Sequence, residues 1–457
     1  MPVRPDPQTR RGFLLASASA LMVSACATRG TSDTELPPLP AGPSIQSLLA
    51  AQAVPIRKIS PDDPGVRALA AGLAGAQLAG LGEATHGSHE DALLKSMLLQ
   101  VMVEKHGLRA ILVEANRAGA QQLNAYASAA PTGLQAVEAV RQAAVFRILK
   151  TEVMADLLTW LRGWNAVNGD QPVRIAGIDC QNSSLDAAEA LDALAKVDSG
   201  AADALAGALA PVTSDAAKAL RHDLMIRSLT LAELTAAHAA CLTLEDELAR
   251  IGLAEAAFAA RLAGQGLISF EFETADGGIA DAGPDYWSRR DGFMAANALH
   301  LLGKDHGVLW GHNMHVLAGR PGGDAAGFVP SGAVLRDKLG GGYVSLTQEF
   351  SKASFLALPD KPFNGAQEVF ATITRTARPG TMNALLASAS RSAAWFDLAT
   401  LPENALTDTW RAESIGFDWY GARAAAEPVD TDIRHTPPGR MLDFMVIHPQ
   451  LTPSRML

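Results

Sequence analysis

Cysteine is scarce, with three in 457 residues. That excludes a disulfide framework as the source of stability. Cys26 lies in a leader described below, and Cys180 and Cys241 read as free thiols. Positive charge is also short: 38 Lys and Arg face 48 Asp and Glu, a formal net charge of −10. With no basic stripe either, nucleic acid and an anionic membrane surface are excluded as main partners. Charged residues make up only 19 % and apolar ones 48 %, so the chain is no disordered polyelectrolyte. Several signatures are missing. There is no G-x-S-x-G elbow or other familiar serine or cysteine hydrolase motif. Walker A and dinucleotide fingerprints are absent after any strand, as is HExxH. No repeat of solenoid period appears. Aromatics are few at 5 %, and the Ala-rich stretches predict much helix.

What is present begins with an address. "TRRGFLL", residues 9–15, reads as a twin-arginine export signal. The apolar run after it is too short and too rich in small residues for a mature membrane span. It closes in "VSAC", the pattern of a lipoprotein cleavage site. Residues 1–26 are thus expected to be a signal peptide, with Cys26 the lipidated first residue of an exported chain. The membrane would be touched through that lipid alone. Residues 27–44 read as a flexible Pro-rich tether, and residues 45–457 as one catalytic domain.

Within that domain four short apolar runs each end in a residue fit for chemistry. "AQLAGLGE" ends at Glu83, "RAILVEAN" reaches Glu114, "VRIAGID" ends at Asp179 and "GVLWGH" ends at His312. Runs apolar on both faces and separated by helical segments are the pattern of parallel strands, predicting an α/β fold with flanking helices. In such sheets, sites form beyond the carboxyl ends of the strands. Further strands are expected at 343–350, 354–358 and 442–449. Leu94, Met97, Leu98 and Val101 mark the buried face of a helix ended by Gly107. Ser88 and Asp91 resemble a capping box, with Glu90 beside them for the helix dipole. His106 and His306 read as C-terminal helix residues. Residues 183–265 are Ala/Leu-rich and predict an inserted helical subdomain that, with the 275–284 loop, would wall the site.

The polar residues suggest roles. His86 follows Glu83 by three positions, so a carboxylate can fix the imidazole tautomer and leave the other nitrogen to act on water as a general base. Glu114 and Asp179, buried at strand ends, need partners. His312 and His315 are placed to orient a carbonyl or stabilise an oxyanion. Arg290 and Asn297 share one face of the helix predicted at 286–302 and suit carbonyl or carboxylate recognition. His89 is a candidate wall of the cleft. Cys180, beside Asp179, lacks a basic partner. The histidines and glutamates also suggest a metal-dependent hydrolase or peptidase, and the leader suggests a lipoprotein that binds haem, iron or another small ligand. Water activated by a histidine, without metal or cofactor, fits the residues best.

The motifs "GEATHGSHE", "ILVEAN", "RRDGFMAAN", "GVLWGHNMHV" and "VPSGAVLRDKLGGGYVSL" together resemble the erythromycin esterase family, in order and at family-like spacing. The resemblance runs from about residue 50 to the "PSR" near 455. It implies an α/β core with a deep cleft and water attack on an ester or lactone, macrolides among the possible substrates. It implies a general base at His86 with Glu83, a second glutamate at Glu114, and later histidines at His312 and His315. The family's R-D-x-x-M-x-x-N helix is matched by Arg290, Asp291, Met294 and Asn297. Where macrolide-hydrolysing members tend to carry arginine, this chain has Lys95, which keeps the charge but loses the planar fork.

Overall fold

The computed structural model describes residues 44–269, 284–323, 327–357, 371–401, 411–414, 429–432 and 441–457. Cys26 and the rest of the leader, and residues 275–283 of the expected wall loop, lie outside them.

The apolar runs pair as one eight-stranded sheet. Its strands are β1 (Val54–Pro55), β2 (Leu78–Leu81), β3 (Ala110–Asn116), β4 (Arg174–Asp179), β5 (Gly307–Trp310), β6 (Tyr343–Phe350), β7 (Ala394–Asp397) and β8 (Phe444–His448). They lie in the order β1-β7-β8-β6-β2-β5-β3-β4. From β8 to β4 every pairing is parallel, while β7 runs antiparallel to β8 and to β1. β2, β3 and β5 are buried at every residue, because helices cover both faces of the sheet. The fold is α/β, as the patterning predicts. The expected strand at 354–358 differs: Lys352–Ala357 pairs antiparallel with Ala371–Thr376 in a separate hairpin.

Two helices matter most to the site. α1 (His89–His106) buries Leu94, Leu98, Val101 and Met102 against one face of the sheet, in a core shared with Val113 and Val308. Each fully buried leucine is worth roughly 1.5–3 kcal/mol. Gly107, at φ +71°, ends the helix in the left-handed region, open to glycine without steric cost. Before the next site helix comes α2 (Glu152–Val167). A helical segment follows β4: α3 (Ser183–Ala195), α4 (Ser199–Thr213), α5 (Leu231–Arg250) and α6 (Ala254–Ser269), with short helices between. These helices share a core of their own, including Leu209, Leu244 and Leu267. α7 (Pro284–Leu302) then packs Met294 and Ala298 with Leu112 and Leu309 on the opposite sheet face. His106 is the last residue of α1. His306, by contrast, falls beyond the end of α7, its Nδ1 3.3 Å from the Ala76 carbonyl, because Gly303 (φ +60°) has already turned the chain. Among the described residues no helix is long and apolar enough to cross a membrane.

Candidate active site

The four strands whose ends carry Glu83, Glu114, Asp179 and His312 are adjacent in the sheet, as β2-β5-β3-β4. Parallel pairing puts all four carboxyl ends on one edge, so residues far apart in sequence meet. Two glycines make room for the turn after β2. A Cβ at Gly82 would meet Asn313 Oδ1 at 2.3 Å and the Leu346 carbonyl oxygen at 2.9 Å. One at Gly87 would meet the Leu356 carbonyl oxygen at 2.0 Å.

Glu83 is the hub of the first cluster. Its Oε1 accepts from His86 Nδ1 at 2.5 Å and its Oε2 from Lys95 Nζ at 2.7 Å. Burial alone would raise its pKa, but the Lys95 and His86 contacts outweigh it and hold the carboxyl down at about 2. An ionised Glu83 fixes the His86 proton on Nδ1, which makes Nε2 the basic nitrogen. Lys95 is fully buried; it also donates to the Gly311 carbonyl at 2.8 Å and lies 5.0 Å from the Trp310 ring centroid. Its ammonium is thus committed to the protein as the counter-ion of Glu83, and burial pushes its pKa down.

The second cluster surrounds Glu114. Oε1 receives Arg290 Nη2 at 3.1 Å and His315 Nε2 at 3.1 Å. Oε2 accepts the His312 backbone N–H at 3.0 Å. Despite the cost of burial, His315 and Arg290 hold Glu114 well below the usual carboxylate range. Arg290 forks onto Asp179 with Nε at 3.1 Å and Nη2 at 2.6 Å. His315 Nδ1 donates to Asp291 at 2.8 Å. Burial would lower the pKa of His315, but the flanking Asp291 and Glu114 raise it to about 10, making it an imidazolium at neutral pH. The 3.3 Å approach of Arg290 Nη1 to His315 Nε2 is then a contact of two donors facing Glu114, not a hydrogen bond.

His312 is set apart from its neighbours. Burial first, then the charges of His86 and His315, push its pKa down to about 3. Its Nδ1 accepts the Met314 backbone N–H at 3.2 Å, so the proton of this neutral ring sits on Nε2. That Nε2 is buried with no hydrogen-bond partner. The ring lies 5.0 Å from that of His86, centroid to centroid. A buried, unpaired donor beside a base is suited to meet a substrate oxygen.

The structure therefore gathers Glu83, His86, Lys95, Glu114, Asp179, Arg290, His312 and His315. It does not bring Asn297 to them. That amide donates to the Ile178 carbonyl (2.9 Å) and exchanges hydrogen bonds with Gln265, fastening α6 and α7 to the end of β4. His89 opens α1, with Nδ1 buried and without a hydrogen-bond partner, and does not line the pocket against His86. Cys180 is buried, and burial with the Asp179 charge raises its thiol to about 12, leaving no thiolate near neutral pH. Among the described residues no three His, Cys, Asp or Glu side chains are arranged to hold a metal ion.

The pocket against Glu83 and His86 is walled by Ile148, Leu149, Thr151, Met154, Trp310 and Ser454. Its walls come from the start of α2 and the preceding loop, the start of α1, the end of β5 and the last residues of the chain; among the described residues none of them lies in the helices of 183–265. Ser454 arrives on a strap across the 82–88 turn, its N–H donating to the Gly87 carbonyl (2.8 Å). Glu90 lies in the first turn of α1, the place expected for an acid facing the helix dipole, and it also holds this strap, accepting from Thr452 N–H and Oγ–H, each at 2.6 Å. Ser88 makes no side-chain cap; its hydroxyl goes to Asp91. Gln348, His448 and Ser454 carry no sequence signal as site residues, whereas Asp291 is visible as the acid of the R-D-x-x-M-x-x-N motif.

A family profile described as erythromycin esterase matches residues 103–448. That span holds Glu114, Asp179, Arg290, Asn297, His312 and His315, while Glu83 and His86 lie ahead of it. No curated protein sequence matches. Three solved structures share the fold. The crystal structure of a succinoglycan biosynthesis protein has a TM-score of 0.73 at 17 % identity, covering 90 % of this chain and 98 % of its own. A Bacillus cereus protein gives 0.72 at 21 % identity, with the same coverages. A histidine-to-asparagine mutant of the erythromycin esterase EreC, in its open conformation, gives 0.65 at 18 % identity over 84 % of this chain and 93 % of that one. With the profile spanning well over half of its length, the chain belongs to the erythromycin esterase family.

Proposed function

We propose that this protein hydrolyses a carboxylic ester or lactone with water activated by His86. Family membership supports a hydrolase. The observation that carries the finer reading is the pairing of His86 with an ionised Glu83 beside the unpartnered Nε2–H of His312.

Glu83 accepts the Nδ1–H hydrogen bond and keeps its charge, and His86 Nε2 takes a proton from water as its oxygen attacks the carbonyl carbon. Such a base contributes roughly 10²–10⁴-fold. The carbonyl oxygen becomes an oxyanion that accepts the His312 Nε2–H. Collapse breaks the C–O bond to the leaving group, and His86 returns its proton to the departing alkoxide. The products are an acid and an alcohol, or one hydroxy acid from a lactone. Glu114 fixes the His312 backbone, while Arg290 pairs with Glu114 and Asp179 and His315 with Glu114 and Asp291. The step draws on no metal, and macrolide lactones are among the candidate substrates.

Wild type and His86→Ala are to be compared on a panel of esters and lactones, macrolides included, with and without chelator. Turnover by wild type in chelator and its loss in the variant are expected. Equal activity of the two proteins would sink the assignment.

The leader supports a second proposal, that the mature protein is exported and held at a bacterial membrane by a lipid on Cys26, facing the periplasm or exterior.

A further inference from the structure

Beneath the turn that carries Glu83 and His86 lies a fully buried carboxyl group, Asp91. Its Oδ2 accepts the Ala84 backbone N–H at 3.0 Å and the Ser88 hydroxyl at 2.6 Å. One oxygen thus ties together the two ends of the turn. Gln348, on β6, donates from Nε2 to the Gly82 carbonyl at 2.8 Å and to the Asp91 carbonyl at 3.0 Å. Its Oε1 then accepts from His448 Nε2 at 2.9 Å. The backbone before, within and after the Glu83–His86 segment is therefore held by the side chains of Asp91 and Gln348, and His448 in turn holds Gln348.

The grip is polar, and none of the three side chains lines the pocket, which the network reaches through Ser88. Asp91 Oδ1 has no hydrogen-bond partner and stands 3.6 Å from His448 Nε2. The turn consequently uses the acceptor capacity of one oxygen, and nothing in the contacts calls for a charge. Burial points the same way, raising Asp91 to about 7. A small displacement of a base is costly, since a misplacement of about 1 Å can lower a rate by 10²-fold.

We infer that Asp91, seated on Gln348 and His448, is a positioning residue that sets the backbone of the 82–88 turn so that His86 Nε2 meets the attacking water in line with the carbonyl. The inference rests on His86 being the base. It makes Asp91 act on turnover, not on substrate binding, and through its acceptor, not its charge.

The test measures kcat and KM on one ester substrate for wild type, Asp91→Asn, Asp91→Ala, Gln348→Met and His86→Ala, with circular dichroism and thermal melting of each. Asp91→Ala is expected to lower kcat roughly 10- to 100-fold with KM within about twofold. Asp91→Asn is expected to stay within about threefold of wild type, because its amide oxygen takes both donated bonds. Where Asp91→Ala does not fold, Gln348→Met reads the same grip, with kcat down roughly tenfold and KM unchanged. Folded Asp91→Ala with wild-type kcat, a loss confined to KM, or Asp91→Asn as impaired as Asp91→Ala would each overturn the inference. Wild-type turnover by His86→Ala would instead overturn the reading of the base, so the two failures are distinguishable.

Discussion

At the scale of residues, this site assigns opposite charge states to two histidines three positions apart. His315, between Asp291 and Glu114, is a cation; His312, buried with its Nδ1 taken by a backbone N–H, is neutral. Removing the His312 donor should lower kcat about 10²- to 10³-fold with little change in KM, the cost of losing one oxyanion donor. Steady-state kinetics of His312→Ala check this, and an unchanged kcat would remove His312 from the mechanism. His315 makes a separate prediction about pH. Its folded pKa, about 10, lies above the ordinary value of 6.5. The stabilisation it contributes is therefore complete below about 6.5 and lost as pH rises through 10. Replacing it with glutamine leaves Asp291 and Glu114 short of a partner, so His315→Gln should cost about 3–5 kcal/mol near neutrality. The melting-temperature gap between wild type and variant should shrink from pH 7 to pH 10; a constant gap would mean that the imidazolium is not what holds the cluster. Glu83 has the opposite sign: its lowered pKa stabilises above 4.5 and loses that contribution as pH falls toward 2.

At the scale of elements, the sheet was legible because parallel strands buried on both faces must be apolar throughout. β2, β3, β4 and β5 could be placed, with the polar residue that closes each. Asp179, Glu114 and His312 announced themselves as acids and bases at the ends of such runs. The strap and the grip under the turn were not legible, because their partners are remote: 266 residues separate Gly82 from Gln348, and 362 separate Glu90 from Thr452. Neither a glutamine inside β6 nor a threonine and a serine in the C-terminal strap carries a periodicity that tells where its side chain docks. Asn297 shows the converse limit. Helical spacing correctly placed it on the inner face of α7 with Arg290, yet spacing does not reveal that β4 and α6 take its amide. Asn297→Ala should cost about 1–3 kcal/mol of stability through the buried partners it leaves unpaired while leaving KM unchanged. A raised KM with unaltered melting would make it a substrate contact instead. Gly87→Ala forces a Cβ to within 2.0 Å of the Leu356 carbonyl oxygen, so the turn or the 352–357 strand must move. The expected cost is about 1–3 kcal/mol, read by thermal melting, and an unchanged melting temperature would show that this close approach is relaxed without penalty.

At the scale of the whole molecule, the arrangement separates address from chemistry. Every residue proposed for catalysis lies between Glu83 and His315, whereas the proposed export signal and lipid site lie in residues 1–26. Replacing Cys26 by serine should therefore abolish incorporation of labelled fatty acid and release the protein from the membrane fraction, with turnover of a soluble ester unchanged. Labelled lipid retained by the serine variant would refute the anchor. The helical segment of 183–269 has its own core and is tied to the end of β4 through Gln265 and Asn297, while the pocket wall at His86 is built by α2, the end of β5 and the strap. The central claim is that His86 Nε2 takes the proton from the attacking water. Chemical rescue tests it most directly: ester hydrolysis by His86→Ala, followed with increasing free imidazole. The account predicts a variant slowed by at least about 10²-fold whose rate climbs with imidazole concentration, since the lost base is worth roughly 10²–10⁴. A variant that hydrolyses the ester at the wild-type rate without imidazole would contradict it.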